Sequence, residues 1–550
     1  MRKEKNAFTQ KALFFYALII LSAVDVYSQN TSYNANTIPI GGTSSVGIGF
    51  QALNSNIGTS NTANGYQALY SNSTGQGNTA NGYQSLYFNT TGLGNTAIGN
   101  KALYPNITGF ANTAIGNAAL GSNTTGVNNT ANGYQALFAN STGNNNSANG
   151  YLSLFNNSSG SRNTANGFHS LVSNTTGNNN SASGYQALRS NTTGYSNIAV
   201  GTQALFQNTT LSNLVAIGDS ALFNNGLVTV NIYDATDNTA LGSKALYSNT
   251  QGYDNTASGF QALYSNTTGF FNTANGSYAL YRNTTGFINT ATGNDALSYN
   301  TTGYGNTANG DKALYNNTTG NSNSANGRGA LYNNTTGNGN TANGSSSLAN
   351  NTTGYSNSAN GSSSLTNNTT GNNNTALGDS AGFNSLGGKN VYIGNRAGFY
   401  ETGSNKLYLA SDSNKTIMYG DFPTGQVLFG KQQPTGYVFK GTRTVNVLGG
   451  IIADSVRVAL SNDWSDYVFE DGYKLTSLKE LEQYVNSNKH LPGIPSKKEV
   501  KENGIELGDM NAKLLAKIEE LTLYIFEQQK QIDELKKKVE KKSNKHKSLN

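Results

Sequence analysis

One spacing governs the chain. The segment NTANGYQALYSNSTGQG, residues 61–77, is followed at once by NTANGYQSLYFNTTGLG. Indexed on the glycine of NTANG, the register runs Gly49, Gly65, Gly82 and onward to Gly218, then from Gly242 to Gly394. That makes twenty-one units with a period of seventeen, apart from one-residue slips at both ends. One insertion, NNGLVTVNIYDATDN, stretches the step from Gly218 to Gly242 to twenty-four residues. A period this short and strict marks a solenoid, in which each unit stacks only on its neighbours.

Three positions hardly vary. Alanine stands two residues before the glycine, as at Ala63 and Ala97, and leucine four after it, as at Leu69, Leu103, Leu137 and Leu263. A second glycine follows ten residues after the first in most units, as at Gly75, Gly92 and Gly109. Glycine accepts a positive φ where other residues strain, so two fixed glycines predict two turns per coil, helped by the Asn and Asn-Thr steps beside them. Between the turns lie NTAxG and xxALY, too short for helices and suited to strands of about three to five residues. Each unit is then one coil of a parallel β-solenoid, with Ala and Leu inside and Asn stacked on Asn along the axis. At the usual strand spacing of about 4.8 Å, the repeats predict a shaft of roughly 100 Å.

One Ala and one Leu make a thin core. Burying the Leu contributes about 2–3 kcal/mol, against a backbone entropy of at least about 17 kcal/mol for ordering one unit. The aromatic residue five after the glycine (Tyr70, Tyr87, Tyr104, Phe138, Phe155, Tyr264, Tyr315) offers the missing apolar surface if it meets another chain. The repeat therefore predicts an oligomer.

Charge divides the molecule near Glu401. Residues 29–400 hold nine Lys/Arg and seven Asp/Glu, whereas residues 401–550 hold twenty-two and twenty. Both parts are near neutral, so the whole-chain net charge of +6 is no argument for nucleic acid. The absence of cysteine excludes disulfides, thiolate chemistry and a lipid anchor on Cys. The first residues read as an export signal: basic MRKEKNAFTQK, apolar ALFFYALIILSAV, then VYS with cleavage at Ser28. The apolar run is shorter than the roughly 20 residues of a spanning helix, and no other segment is suited to cross a bilayer as a helix.

Beyond Gly394 the pattern changes. NKLYLAS, TIMYGDF, GQVLFGK and GYVFKG read as short strands of a β-rich neck. Helical signals begin after Asp466: Ser477 with Glu480, and Ser496 with Glu499, form capping boxes on either side of the rigid turn HLPGIPS. The last segment follows heptads, with Ile518, Ile525, Ile532 and Val539 at a and Leu514, Leu521, Gln528 and Leu535 at d. Ile at a with Leu at d favours two strands, but Leu515 and Tyr524 at e and g widen the stripe as a third helix would require. The expectation is a homotrimer, with a dimer as the alternative.

NTAIGNKAL (95–103), NTAIGNAAL (112–120) and VAIGDSAL (215–222) resemble the head repeats of trimeric autotransporter adhesins, although the period here is longer. That resemblance, covering roughly 45–400, implies a left-handed parallel β-roll with three chains side by side. NTALGDSAGFNSLGGKNVYIGNRAGFYETGSNKLYLAS (374–411) resembles repeats of large secreted, tail-fibre-like proteins of Gram-negative bacteria. Residues 467–532, with HLPGIPS and the terminal helix, resemble the ending of many such proteins. They are more distantly similar to the trimer-folding, self-cleaving chaperone of phage tail spikes. SDYVFEDGYK (465–474) matches that chaperone only loosely, so self-cleavage is not the expectation.

Catalytic and metal constellations are missing from the sequence. His169, His490 and His546 have no ligand or triad partner at useful spacing, and the aspartates of the repeats are too scattered for a calcium roll. GLGNTAIG lies in a period-17 array with no following helix, so it is not a dinucleotide loop. The expected organisation is a signal peptide (1–28), a linker (29–44), the β-roll repeats (45–400) and a β-rich neck (401–460). A small α+β tail-fibre-like domain (461–505), a coiled coil (506–543) and a basic disordered tail (544–550) follow. The expected function is that of an exported, non-enzymatic, adhesin-like fibrous protein at the cell surface or outside the cell, without cofactor or metal. Its partners are copies of itself and an unknown surface, glycan or protein ligand, and no nucleic acid. The alternatives are a phage-like tail fibre or spike and, below that, an ice-binding solenoid built on the aligned Thr62, Thr79, Thr96 and Thr113.

Overall fold

The fold is described from a computed structural model that covers residues 30–33, 44–227, 231, 233–432, 439, 443–458 and 464–547. The expected signal peptide, most of the 29–44 linker, nearly all of GYVFKG and residues 548–550 lie outside the described residues. The chain divides into two compact units, Met1–Gly449 and Gly450–Asn550.

The first unit is a parallel β-solenoid. Strand β1 (Asn30–Tyr33) pairs in parallel with β2 (Ser45–Ile48), and one short strand per coil continues the ladder to β22 (Val391–Ile393) and β23 (Lys406–Ala410). About 23 coils result, against the twenty-one glycine-marked units, because β1 and β23 extend the ladder without the marker glycine. The register is strict. Ala63 pairs with Ala80, Ala80 with Ala97, and Ala97 with Ala114. The twenty-four-residue step leaves it intact, since Val215, Ala216 and Ile217 still face Thr239, Ala240 and Leu241. After β23 the ladder turns antiparallel through β24 (Thr416–Asp421) and β25 (Gln426–Gln432), and parallel again at β26 (Val445–Val447). The composition shift near Glu401 thus marks where coils give way to neck strands, while the compact unit runs on to Gly449.

Only NTAxG is a strand. In the coil starting at Gly133, the expected second strand, QALF, is a turn in which Gln135 and Leu137 take φ of 49° and 54°. The reason is directional. Ala136 and Leu137 are adjacent and both fully buried, whereas successive side chains of a strand point to opposite faces. Left-handed residues on either side of Ala136 wrap the chain inward, at about 1–2 kcal/mol per residue. Ladder bonds hold the wrap: the Leu137 amide donates to Ser153 O (2.9 Å) and the Gln135 amide to Asn117 O (2.9 Å).

The two glycines also differ. Gly133 has φ 139° and sits so close to the next coil that a Cβ would meet Gly150 O at 2.5 Å. The second glycine, Gly143, has no positive φ; a Cβ there would strike Asn140 Oδ1 and Gly160 O, both at 2.3 Å. It is there to admit an asparagine.

That asparagine belongs to the core. Asn140 and Asn146 are fully buried or nearly so, with equivalents in almost every coil. The Asn140 amide nitrogen donates to Asn123 Oδ1 (2.9 Å) and to Gly143 O (3.0 Å). That of Asn146 donates to Asn129 Oδ1 (3.1 Å) and Gly160 O (2.8 Å). Two amide ladders, a second buried Ala (Ser in some coils, as at Ser85 and Ser153) and the Leu fill most coils. Ala63, Leu69, Ala97, Leu103, Leu137 and Leu263 are all fully buried, as expected of core positions. The estimate of one Ala and one Leu was too small, and the case for an oligomer from a thin core falls with it.

The ladders break just before the insertion and again at Ser385, which replaces the next Asn after Asn368. Leu211 and Leu214 stand where other coils have Gly and Asn, just before the insertion, and Asn208 Oδ1 is left buried without a hydrogen bond. At the far end the core changes hands. Tyr392 replaces the core Ala and is fully buried, with its hydroxyl 3.0 Å from Ser385 Oγ. Gly382 and Gly398 replace the core Leu on either side; a Cβ at Gly398 would meet the Tyr392 ring at 2.3 Å.

The second unit is small. Helix α1 (Leu478–Asn488) and helix α2 (Lys497–Asn503) carry the predicted capping boxes at Ser477/Glu480 and Ser496/Glu499. Helix α3 (Leu507–Lys547) has 41 residues. Val468, Ala516 and Tyr524 form its buried nucleus. Tyr473 Oη donates to Glu520 Oε1 (2.5 Å), and Tyr524 Oη donates to Thr476 O.

Candidate functional site

The solenoid offers surfaces instead of a cleft. In the three-residue strands of the coils the middle residue is buried and its neighbours are more exposed, as Thr62 and Asn64 are around Ala63. The outward Thr row runs in register through Thr62, Thr79, Thr96 and Thr113, then loses methyls at Ser147, Ser181 and Ser324. Ile198 and Val215 interrupt it outright. Beside them Val200, Ile217 and Leu241 align on successive coils and are all exposed.

Three columns of rings run along the shaft. The one foreseen, five residues after the glycine, stacks on itself: Tyr70–Tyr87–Tyr104 at 4.9 and 5.3 Å, and Phe206–Phe223–Tyr247–Tyr264–Tyr281 at 4.9 to 5.4 Å. Phe138 stacks on Phe155 at 5.3 Å. These rings spend their faces on one another within one chain and leave only their half-exposed edges outward. The coil rise nearly equals the stacking distance of aromatic rings, which makes the column self-sufficient. Burial, and then neighbouring tyrosines, raise the hydroxyl pKa of Tyr87 and Tyr264.

Two further columns lie outside the predicted one. Tyr134–Tyr151–Phe168–Tyr185, next to the glycine, stack at 5.2 to 5.4 Å. Tyr253–Phe270–Phe287–Tyr304, eleven after it, stack at 4.9 to 5.0 Å. Their shared phase was a visible signal. His169 lies against Phe168 at 4.0 Å, and burial followed by the Arg189 charge lowers its pKa. Among the described residues, no group of three or more His, Asp or Glu is placed to hold a metal ion.

On α3 the heptad residues Leu514, Ile518, Leu521, Ile525, Ile532 and Leu535 are all exposed, between 43% and 59%. Ala516, on the opposite face, is buried, and Tyr524, at the edge of the seam, is buried with its hydroxyl tied to the chain's own Thr476. Tyr524 is therefore not available to widen the heptad stripe toward a third helix, contrary to the sequence argument. What remains free is a narrow apolar seam. No described helix is long and apolar enough to cross a membrane.

Fold and surfaces together define a fibrous parallel β-solenoid repeat protein, with stacked amide ladders inside and stacked rings outside. No family model, curated protein or solved structure matches the chain. The resemblance to adhesin heads and tail-fibre endings thus rests on the sequence segments alone.

Proposed function

We propose that the chain is an exported, non-enzymatic, adhesin-like fibrous protein that works at the cell surface or outside the cell. The solenoid is its attachment shaft, and α3 gathers three chains. The observation that carries this is the unpartnered seam: seven aliphatic a and d residues between Leu514 and Val539 lie exposed on one face of one helix. An apolar stripe of heptad period is buried by equivalent helices in a coiled coil. Gathering chains would align identical columns side by side, so weak contacts with a surface add up multivalently. Export is supported by the n-region and h-region before Ser28.

Two chains form the second reading, favoured by Ile and Val at a, Leu at d and the burial of Tyr524. Mass measurement in solution, combined with protease shaving of intact cells, tests both parts. A single-chain mass would refute the gathering role, and a protein untouched by external protease would refute the location.

A further inference from the structure

The ring column five residues after the glycine is interrupted after Tyr332 and resumes only at Phe383 and Phe399. Tyr315 covers one face of that ring at 5.1 Å, but the next two coils carry Ala349 and Thr366 instead of rings. The neighbouring row, two residues after the glycine, shrinks at the same place from Lys312 to Gly329 and Ser346. The result is a groove of about 290 Å³ with Tyr332 and Ala349 in its lining. This is the low end of small-ligand sites, about one sugar unit in size.

Its polar groups are ordered. Asn333 and Asn350 line one side and belong to an outer amide ladder: Asn333 Nδ2 donates to Asn350 Oδ1 (3.0 Å), and Asn350 Nδ2 to Asn367 Oδ1 (3.0 Å). A carboxamide has two N–H donors and two acceptor lone pairs, so the ladder uses half and leaves one of each per coil. Lys312 and Arg328 line the groove as well. The ion pairs among the described residues, Lys406–Asp421 and Lys517–Glu520, lie elsewhere. The groove's one carboxylate, Asp311, accepts from Asn294 of the preceding coil (3.4 Å).

We propose that this groove binds a pyranose of an acidic polysaccharide. The sugar takes the place of the missing ring, one coil beyond Tyr332, with its apolar C–H face on the open side of the phenol. Its hydroxyl rim meets the free donors and acceptors of Asn333 and Asn350. Its carboxylate lies between Lys312 and Arg328, where a guanidinium can grip both oxygens. The proposal rests on the shaft being an attachment surface, and it names the chemistry attached.

Calorimetric titration of the full chain with α-1,4-linked trigalacturonate, and with its neutral counterpart galactotriose, tests it. Wild type binds the acid about tenfold or more tighter than the neutral sugar, and Arg328→Gln removes that preference. Tyr332→Ala weakens both sugars. Ala349→Phe continues the ring column across the open face of Tyr332, so it abolishes binding while the melting temperature holds or rises. No heat with wild type, equal affinity for both sugars, or unchanged binding by Ala349→Phe overturns the proposal. The groove lies within one chain, so a single-chain mass would refute the gathering by α3 yet leave this titration valid.

Discussion

Adjacent asparagines offer an internal control on the buried ladders. Asn317 is fully buried, and its Nδ2 donates to Asn300 Oδ1 (2.8 Å) and Gly320 O (2.9 Å). Its Oδ1 accepts from Asn334 Nδ2 (2.8 Å). In Asn317→Ala, Gly320 O keeps its bond from Asn306 (2.8 Å), but Asn300 Oδ1 and one N–H of Asn334 lose their partners inside the core. Each orphaned group costs about 1–3 kcal/mol, so the substitution costs about 2–6 kcal/mol before any cavity is counted. Asn316 makes the same kind of bond, to Asn333 Oδ1 at 3.0 Å, but is only half-buried, so water replaces what Ala removes. Asn316→Ala should change stability by no more than about 0.5 kcal/mol. In a solenoid the damage is local, so amide exchange over residues 297–337 reads it better than a global melt. A loss of about 3 kcal/mol speeds exchange there about a hundredfold. Equal protection in the two variants would refute the claim that the inner ladder holds the coil.

Three further outcomes follow from the geometry. Gly398→Ala should destabilise the C-terminal coils by about 1–3 kcal/mol, an overpacking cost, because its Cβ meets the Tyr392 ring at 2.3 Å; a denaturation midpoint equal to wild type would contradict it. Leu occupies the same position at similar φ in earlier coils, so the ring, and not the backbone, forbids the methyl. Burial first, then the hydrogen bond with Tyr299, push the Tyr315 hydroxyl up to about 12. Its folded pKa lies above the ordinary 10.0, so the neutral phenol contributes stability that is whole below that pH and is lost as pH rises through about 12. Tyrosinate absorbance during alkaline titration checks this, and a wild-type curve unchanged by Tyr315→Phe would contradict it. Amide exchange should be fastest, within the solenoid interior, at the coil holding Leu211, Leu214 and the unsatisfied Asn208 Oδ1; uniform exchange along the shaft would count against a weak seam there.

The period, the inward Ala and Leu and the stacked amides were legible because each is a one-dimensional rule repeated in register. The QALF turn was not, although its signal was present: Ala136 and Leu137 are neighbours, and no strand buries two neighbours on one side. Gly143 was read as a turn former because a sequence shows the absence of a Cβ, not the Asn140 oxygen that needs the space. The stacking of Tyr70 on Tyr87 follows from the coil rise, which the apolar area of a single coil does not reveal. Tyr524 is a parallel case. Its heptad letter places it beside the seam, but only the fold shows its hydroxyl tied to Thr476. The groove at Tyr332 depends on what two rows lack at the same coil, and periodicity hides such gaps.

The central claim is that α3 gathers chains through its free seam. Sedimentation equilibrium of the exported chain, beside Ile518→Asp/Ile525→Asp, tests it most directly. Charges at two a layers with no opposite charge facing them cannot be buried together. Three chain masses are expected for wild type and one for the double variant, with the repeats, whose core is complete within one chain, staying folded. Two masses for wild type would keep the seam and reject the three-chain shaft. One mass for wild type, or an unchanged assembly in the double variant, would contradict the account.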